Sequence, residues 1–225
     1  MTGDRRPLTG LIVDYGGVLT TSLPEAMAAW LSAEGVPAEQ FGAVMREWLA
    51  DGVMASPAHD LETGRIQAAE FERVLAERLR TADGVAPVPD GLLTRMFAGF
   101  RAAPGMFGVL RNARRHGLRT ALLSNSWGAD YDRDGWDELF DAVVISGEVG
   151  LRKPQPEIFL LTARLLGLPP EQCVFVDDLA VNVRGAAKIG MVGVHHTSVE
   201  SSIQELEALF GLPLAPDADA VGPAP

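Results

Sequence analysis

The sequence predicts an α/β fold, a Rossmann-like parallel sheet covered by helices with an inserted helical cap. Three observations predict it. From residue 106 to 210 short apolar runs alternate with helical segments, the pattern of a parallel sheet buried on both faces. Before that, an apolar run over 8–13 meets Asp14-Tyr15-Gly16-Gly17, which reads as a buried strand entering a glycine-rich turn. Between the two, residues 20–100 carry helical spacing and almost no strand signal.

The elements follow in order. Pro24 to Trp30 reads as the start of a helix, with Ser22 or Thr21 available as its cap. Over 38–49 the apolar residues Phe41, Val44, Met45, Trp48 and Leu49 fall at helical spacing, and over 66–79 Phe71, Val74, Leu75 and Leu79 repeat the pattern. A short helix is expected at 92–100. Pro104-Gly105 then makes a turn, and a helix over 106–116 is stopped by Gly117. Strands follow at 119–123, 142–145, 173–176 and 191–194, separated by helices over 156–166 and 182–189, with a last helix at 201–210. The expected domains are therefore 1–20 with 101–212 for the α/β core and 21–100 for the cap. The Pro-, Ala- and Asp-rich stretch 213–225 is expected to be a disordered tail.

Composition narrows the function. The chain has 225 residues, enough for one substantial core carrying a smaller insert. Its formal net charge of -11 repels nucleic acid, and no Lys/Arg cluster offsets it. A small anionic substrate stays compatible, because a bound metal can outweigh the distant field. Cys173 is the single cysteine, which excludes an internal disulfide and a cysteine-based zinc cluster. No run approaches the roughly 20 apolar residues of a membrane span. The N-terminus lacks the apolar stretch of a signal peptide, so a cytoplasmic protein is expected, as monomer or homodimer.

Four polar features stand at the carboxyl ends of the predicted strands: Asp14, Ser124, the loop bearing Lys153, and Asp177-Asp178. In open α/β sheets ligands bind at that edge. Asp14 and Asp178 on neighbouring strand ends repel each other unless a cation lies between them, and hard oxygen ligands suit magnesium, Mg2+. Elsewhere plainer roles suffice. Trp48 sits on an apolar helical face and reads as core, His59 in SPAHD as a loop residue, and Arg65 as solvated. Trp127, Tyr131 and Trp136 either line the mouth after Ser124 or pack a surface loop. His195-His196 is rejected as a metal pair, because adjacent strand residues point to opposite faces.

These motifs, in this order, resemble the haloacid dehalogenase-like hydrolase superfamily: DYGGVLT from Asp14, Ser124 in LLSNS, Lys153 in GLRKPQPEIF, and VDD over 176–178 followed by Asn182. The helical insert resembles the small cap of one subfamily. The GG pair, ETGRI over 62–66 and DDLAVN resemble the phosphatase domain of soluble epoxide hydrolases. The resemblance implies that Asp14 attacks phosphorus and forms an aspartyl-phosphate. It implies Asp14, the Gly16 carbonyl and Asp178 on magnesium, with Asp177 acting through water. It implies Ser124 and Asn125 on the phosphoryl oxygens, Lys153 paired with the phosphate, and Asn182 in support. The chain departs from the pattern at Gly16, where most phosphatases of the superfamily carry an aspartate that protonates the leaving oxygen. The expected function is a phosphatase of small phosphomonoesters or acyl phosphates. The alternatives are a carbon–halogen or carbon–phosphorus hydrolase and a non-catalytic phospholigand-binding protein. Dehalogenase members place an aromatic at the second position after the nucleophile, whereas Tyr15 is at the first.

Overall fold

The computed structural model describes residues 7–50, 55–128 and 131–216. Five strands form one sheet: β1 (Gly10–Val13), β2 (Arg119–Ser124), β3 (Ala142–Ile145), β4 (Cys173–Asp177) and β5 (Val192–His195). All pairs are parallel, in the order β3-β2-β1-β4-β5. In register, Val13 stands opposite Leu122 on one side and Val176 on the other. The chain adds β2 and β3 on one flank of β1, then crosses to the other flank for β4 and β5. The order therefore reverses at β1, which is where open α/β sheets form a crevice at their carboxyl edge.

The insert that follows β1 holds, among the described residues, five helices: α1 (Leu23–Glu34), α2 (Ala38–Leu49), α3 (Pro57–Glu62), α4 (Ala68–Arg78) and α5 (Leu92–Phe97). They close around their own core, which includes Trp30, Phe41, Trp48, Phe71, Leu75 and Met96. Phe41, Val44 and Trp48 are the buried face of α2, and the Trp48 ring meets Phe71 edge-on at 5.7 Å. The two crossings between this inserted cap and the sheet run side by side. Thr20 and Ala102 form an antiparallel bridge, with Thr21 donating to the Arg101 carbonyl at 2.7 Å and Ala103 to that of Leu19 at 2.8 Å.

After the cap come α6 (Pro104–Arg115), α7 (Trp136–Leu139), α8 (Ser146–Val149), α9 (Pro156–Leu166), α10 (Ala180–Lys188) and α11 (Val199–Phe210). Side chains alternate along β1 and so feed two cores. Leu11 and Val13 pack with Met106, Leu110 and Leu206 from α6 and α11. Ile12 packs with Phe159, Ala163 and Ala186 from α9 and α10 on the opposite face. Cys173 is fully buried at the start of β4. Among the described residues no helix is long and apolar enough to cross a membrane.

Two expectations change. The stretch around SPAHD is the short helix α3, not a loop. Ser56 accepts the His59 backbone N–H at 3.2 Å and Pro57 opens the first turn. Six residues are too few to show apolar periodicity, but the Ser-Pro start was legible. The chain beyond Pro213 is also held at first. Leu214 is fully buried, Glu207 accepts the backbone N–H groups of Leu214 and Ala215, and the Asn112 amide donates to both of their carbonyls. Residues 217–225 of the expected tail lie outside the described residues.

The packing of Leu214 has a measurable consequence. Leu214→Ala is expected to lower unfolding stability by about 2–4 kcal/mol, the usual cost of a large-to-small change in a core. Urea denaturation reads this directly. A loss below roughly 0.5 kcal/mol, the scale of a surface change, would mean that the segment is not part of the core.

Candidate functional site

β1 and β4 are neighbours, so their last residues emerge side by side at the crevice. The Asp14 backbone N–H donates to the Val176 carbonyl at 2.9 Å, which places Asp14 level with Asp177. Asp14, Asp177 and Asp178 each offer an oxygen, and the three oxygens lie within 4.8 Å of one another. Three carboxylates this close need positive charge.

Lys153 supplies the first of it. Its side chain is 1% exposed, and its Nζ stands 2.8 Å from Asp14 Oδ1 and 2.7 Å from Asp177 Oδ2. Burial alone would lower the lysine pKa, but the Asp14 and Asp177 carboxylates outweigh it and hold the ammonium charged. An ammonium has three N–H donors, so one remains for a ligand. Asn125 fixes the lysine from behind. Its Oδ1 accepts the Lys153 backbone N–H at 2.9 Å, and its Nδ2 donates to the Lys153 carbonyl at 3.2 Å. The Asn125 side chain is thereby spent on Lys153, which leaves its backbone as the part able to meet a phosphoryl oxygen.

Asp177 is fully buried and its oxygens are heavily engaged. Besides Lys153, it accepts the Leu179 backbone N–H at 2.8 Å and Asn182 Nδ2 at 3.0 and 3.1 Å. Asn182, the supporting residue expected from the sequence, orients this carboxylate rather than Lys153. Asp14 is engaged on one oxygen, where Oδ1 also accepts the Tyr15 N–H at 2.7 Å. Among the described residues no donor reaches Asp14 Oδ2 or the Gly16 carbonyl. Asp14 and Asp178 therefore keep oxygens for a hard cation such as magnesium, while Asp177 is held back.

The glycine pair after Asp14 divides its work. Gly17 has φ +75°, and a Cβ there would lie 2.4 Å from Asp178 Oδ2. The turn thus demands glycine both for its backbone and for the approach of the carboxylate. Gly16 has no positive φ, and a Cβ there would meet nothing within 4 Å. The position that lacks the usual aspartate is sterically open.

Ser124, at the end of β2, is buried, and its hydroxyl lies 3.0 Å from the Tyr131 hydroxyl. Tyr131 meets Tyr15 edge-on at 5.1 Å and Trp136 at 5.8 Å, so an aromatic wall stands beside the loop after Asp14. The sequence left Tyr131 and Trp136 undecided, because spacing alone does not show which ring reaches Ser124. Trp127 belongs to a different contact. Its indole N–H donates to Glu62 Oε1 at 3.1 Å, and Arg152 pairs with Glu62 Oε2. Ser126 donates its backbone N–H to Ser146 Oγ, which in turn donates to the Glu62 carbonyl. Glu62 on α3, 5% exposed, thus ties the cap to the residue preceding Lys153 and to the loop after Ser124. Sequence reasoning missed this role of Glu62 and Arg152, although both lie inside the motifs it quoted. His59 on α3 is buried, and Arg65 pairs with Asp60 at 2.8 Å. His195 Nε2 contacts the Asp178 carbonyl and His196 Nδ1 the Ser202 hydroxyl, so the two imidazoles face different partners.

The carboxyls are costly to ionise. Burial, opposed by Lys153 and reinforced by Asp177, pushes Asp14 up from 3.8 to about 8. Burial and the Asp177 charge push Asp178 up to about 6. In the unfolded chain both lose their protons near 3.8, so between there and about 8 the unfolded state binds fewer protons than the folded one. Stability without metal must then fall as pH rises across that window. In chelator, thermal unfolding of Asp14→Asn should gain on the parent protein steadily from pH 5 to pH 8, because the amide cannot ionise. A gap that is constant, or that moves the other way, would contradict the assignment.

Residues 8–190 match the haloacid dehalogenase-like hydrolase family. The chain is 30% identical over 220 residues to acyl-CoA dehydrogenase family member 10 of Mus musculus, covering 93% of this chain and 20% of that protein. It is 27% identical over 170 residues to bifunctional epoxide hydrolase 2 of Mus musculus, covering 69% of this chain and 31% of that one. The chain thus spans a third or less of the length of these two relatives. A HAD family enzyme of Bacteroides thetaiotaomicron, solved with magnesium and inorganic phosphate, superposes with a TM-score of 0.60 at 20% identity, covering 84% of this chain and 93% of its own. With the strand order, the inserted cap and the carboxylates at the strand ends, the match places this chain in the haloacid dehalogenase-like hydrolase family.

Proposed function

We propose that this protein is a magnesium-dependent phosphohydrolase that cleaves small phosphomonoesters or acyl phosphates through an aspartyl-phosphate on Asp14. One observation carries the reading: Asp14, Asp177 and Asp178 converge within 4.8 Å at the carboxyl edge of the sheet, with the Lys153 ammonium between two of them. The magnesium and phosphate bound by the Bacteroides relative support it. The Asp14 and Asp178 carboxylates and the Gly16 carbonyl would hold the metal, with Asp177 acting at most through a bound water. When bound, magnesium neutralises charge on the transferring phosphoryl group and fixes its orientation.

The chain's own residues do the rest. The Asp14 carboxylate attacks phosphorus as the bond to the leaving-group oxygen breaks. Lys153 has one N–H left for a phosphoryl oxygen, and the Ser124 hydroxyl and Asn125 backbone N–H supply further donors. Asp177, itself oriented by Asn182, positions Lys153 without touching substrate. The cap, pinned by Glu62, excludes water from the exchange. The lone buried Cys173 suits a cytoplasmic setting, where the protein acts as monomer or homodimer on a small anionic substrate rather than on nucleic acid.

Gly16 favours a second reading of the chemistry. Without an acid at this position, leaving groups that need no proton are preferred. This keeps carbon–halogen or carbon–phosphorus cleavage, and phospholigand binding without turnover, as the competing functions. A screen with magnesium separates them, using acetyl phosphate, p-nitrophenyl phosphate, alkyl phosphates and haloacids. Phosphate release that is lost in Asp14→Asn and on chelation is the expected result. Halide release, or ligand binding without turnover, would replace the proposal.

Gly16→Asp tests the missing acid directly, at a position where an added Cβ meets no atom within 4 Å. General acid–base catalysis typically contributes about 10² to 10⁴ in rate. The variant should therefore raise alkyl phosphatase activity well above any gain with p-nitrophenyl or acetyl phosphate. Equal relative rates across these leaving groups would mean that another group already supplies the proton. Gly17→Ala is the structural control. It should fail to hold Asp178 in place and should abolish the magnesium dependence of thermal stability.

A further inference from the structure

Ser124 closes β2, and the register that sets Val13 opposite Leu122 carries it to the rim of the sheet beside the loop after Asp14. Its side chain is buried. Among the described residues one hydrogen bond engages its hydroxyl, the 3.0 Å contact with the Tyr131 hydroxyl. A serine hydroxyl has one proton and two lone pairs. The direction of this contact therefore decides what Ser124 offers to a ligand. If Ser124 donates to Tyr131, its proton is spent and its lone pairs repel an anionic oxygen. If Tyr131 donates, the serine proton is free.

Two properties of Tyr131 favour it as the donor. Its ring packs edge-on against Tyr15 at 5.1 Å and against Trp136 at 5.8 Å, and those two rings stand 5.9 Å apart. Three mutually packed rings fix the direction of the phenol. A phenol is also more acidic than an alkyl hydroxyl, and so is the better donor of the two. Burial holds its pKa above the ordinary value, with the Asp14 charge reinforcing this and the Ser124 hydroxyl, the Ser126 hydroxyl and Lys153 opposing it. The phenol thus keeps its proton at neutral pH.

We propose that Tyr131 is a positioning residue for phosphoryl transfer: its hydroxyl donates to Ser124 Oγ and so directs the serine proton to a phosphoryl oxygen. The proposal rests on the phosphohydrolase reading above. The two bonds run in one direction, from Tyr131 to Ser124 to the phosphoryl oxygen, and each polarises the next. Tyr131 itself touches no substrate. No proton changes hands, so the relay does not replace the acid missing at Gly16.

Tyr131→Phe keeps the ring and removes the hydroxyl. With magnesium, kcat/KM should fall by roughly three- to tenfold, the scale of one hydrogen bond. The factor should be the same for acetyl phosphate and p-nitrophenyl phosphate, because the leaving group is not involved. Orthovanadate, a mimic of the transferring phosphoryl group, should inhibit more weakly by a similar factor. The magnesium concentration for half-maximal activity should not move. A shift in that concentration as large as the loss of activity would mean that the loop after Asp14 is displaced, and would overturn the relay. A double-mutant cycle with Ser124 is stricter. The loss should persist in a Ser124→Thr background, which keeps a hydroxyl, and vanish in Ser124→Ala. An equal loss in Ser124→Ala would mean that Tyr131 acts without Ser124, and would overturn the proposal, as would full activity of Tyr131→Phe. Should Ser124→Ala not fold, the vanadate and magnesium results for Tyr131→Phe decide alone. If acetyl phosphate turnover by the parent protein does not depend on Asp14, the phosphohydrolase reading falls and the relay with it. If it does and Tyr131→Phe behaves otherwise than stated, the relay alone falls.

Discussion

The structure depends on one buried arrangement, the Lys153 ammonium held between the Asp14 and Asp177 carboxylates. Each charge in it would be expensive alone. Removing one member of a buried ion pair typically costs about 3–5 kcal/mol, because the partner is left uncompensated. The arrangement is tolerable here because nearly every polar atom has a partner. Asn125 grips the lysine backbone, while Asn182 and the Leu179 N–H fill the Asp177 oxygens. Among the described residues Asp14 Oδ2 and the Gly16 carbonyl have no donor. Under the proposed function they and the Asp178 carboxylate are what the centre offers to a ligand.

The rest of the fold brings the three charged groups together. β1 and β4 must be neighbours for Asp14 to stand beside Asp177, and the reversal of strand order at β1 makes the crevice in which they meet. Gly17 turns the chain so closely past Asp178 that a side chain there would collide with its carboxylate. The cap is joined to the same centre through Glu62, whose carboxylate holds Arg152, the residue before Lys153. The cap and the segment that carries the lysine are thus joined by one contact network.

Much of this was legible in the amino-acid order. The apolar run ending at Asp14, the run ending at Asp177-Asp178 and the glycine-closed helices between them carry strong local signals for strands and helix ends. The helical insert shows its periodicity at Phe41, Val44 and Trp48. What was not legible depends on distant contacts. Asn125 resembles a substrate ligand in sequence, but only the fold shows its amide turned to the Lys153 backbone. Tyr131 is an unremarkable tyrosine until its hydroxyl is found 3.0 Å from Ser124. Glu62 lies in a helix too short for periodicity, and its partner Arg152 is 90 positions away. The Pro-rich stretch after Phe210 looks disordered by composition, yet Leu214 finds a closed apolar site against the sheet domain.

The central claim is that Asp14 itself carries the phosphoryl group. Rapid acid quench of the protein during turnover of acetyl phosphate with magnesium, followed by peptide mass spectrometry, examines it most directly. The account requires an acid-stable, hydroxylamine-sensitive phosphoryl group on the peptide containing Asp14, and Gly16 should let it accumulate because the usual base for its hydrolysis is missing. Phosphate release with no such adduct, or an adduct on another residue, would contradict the account.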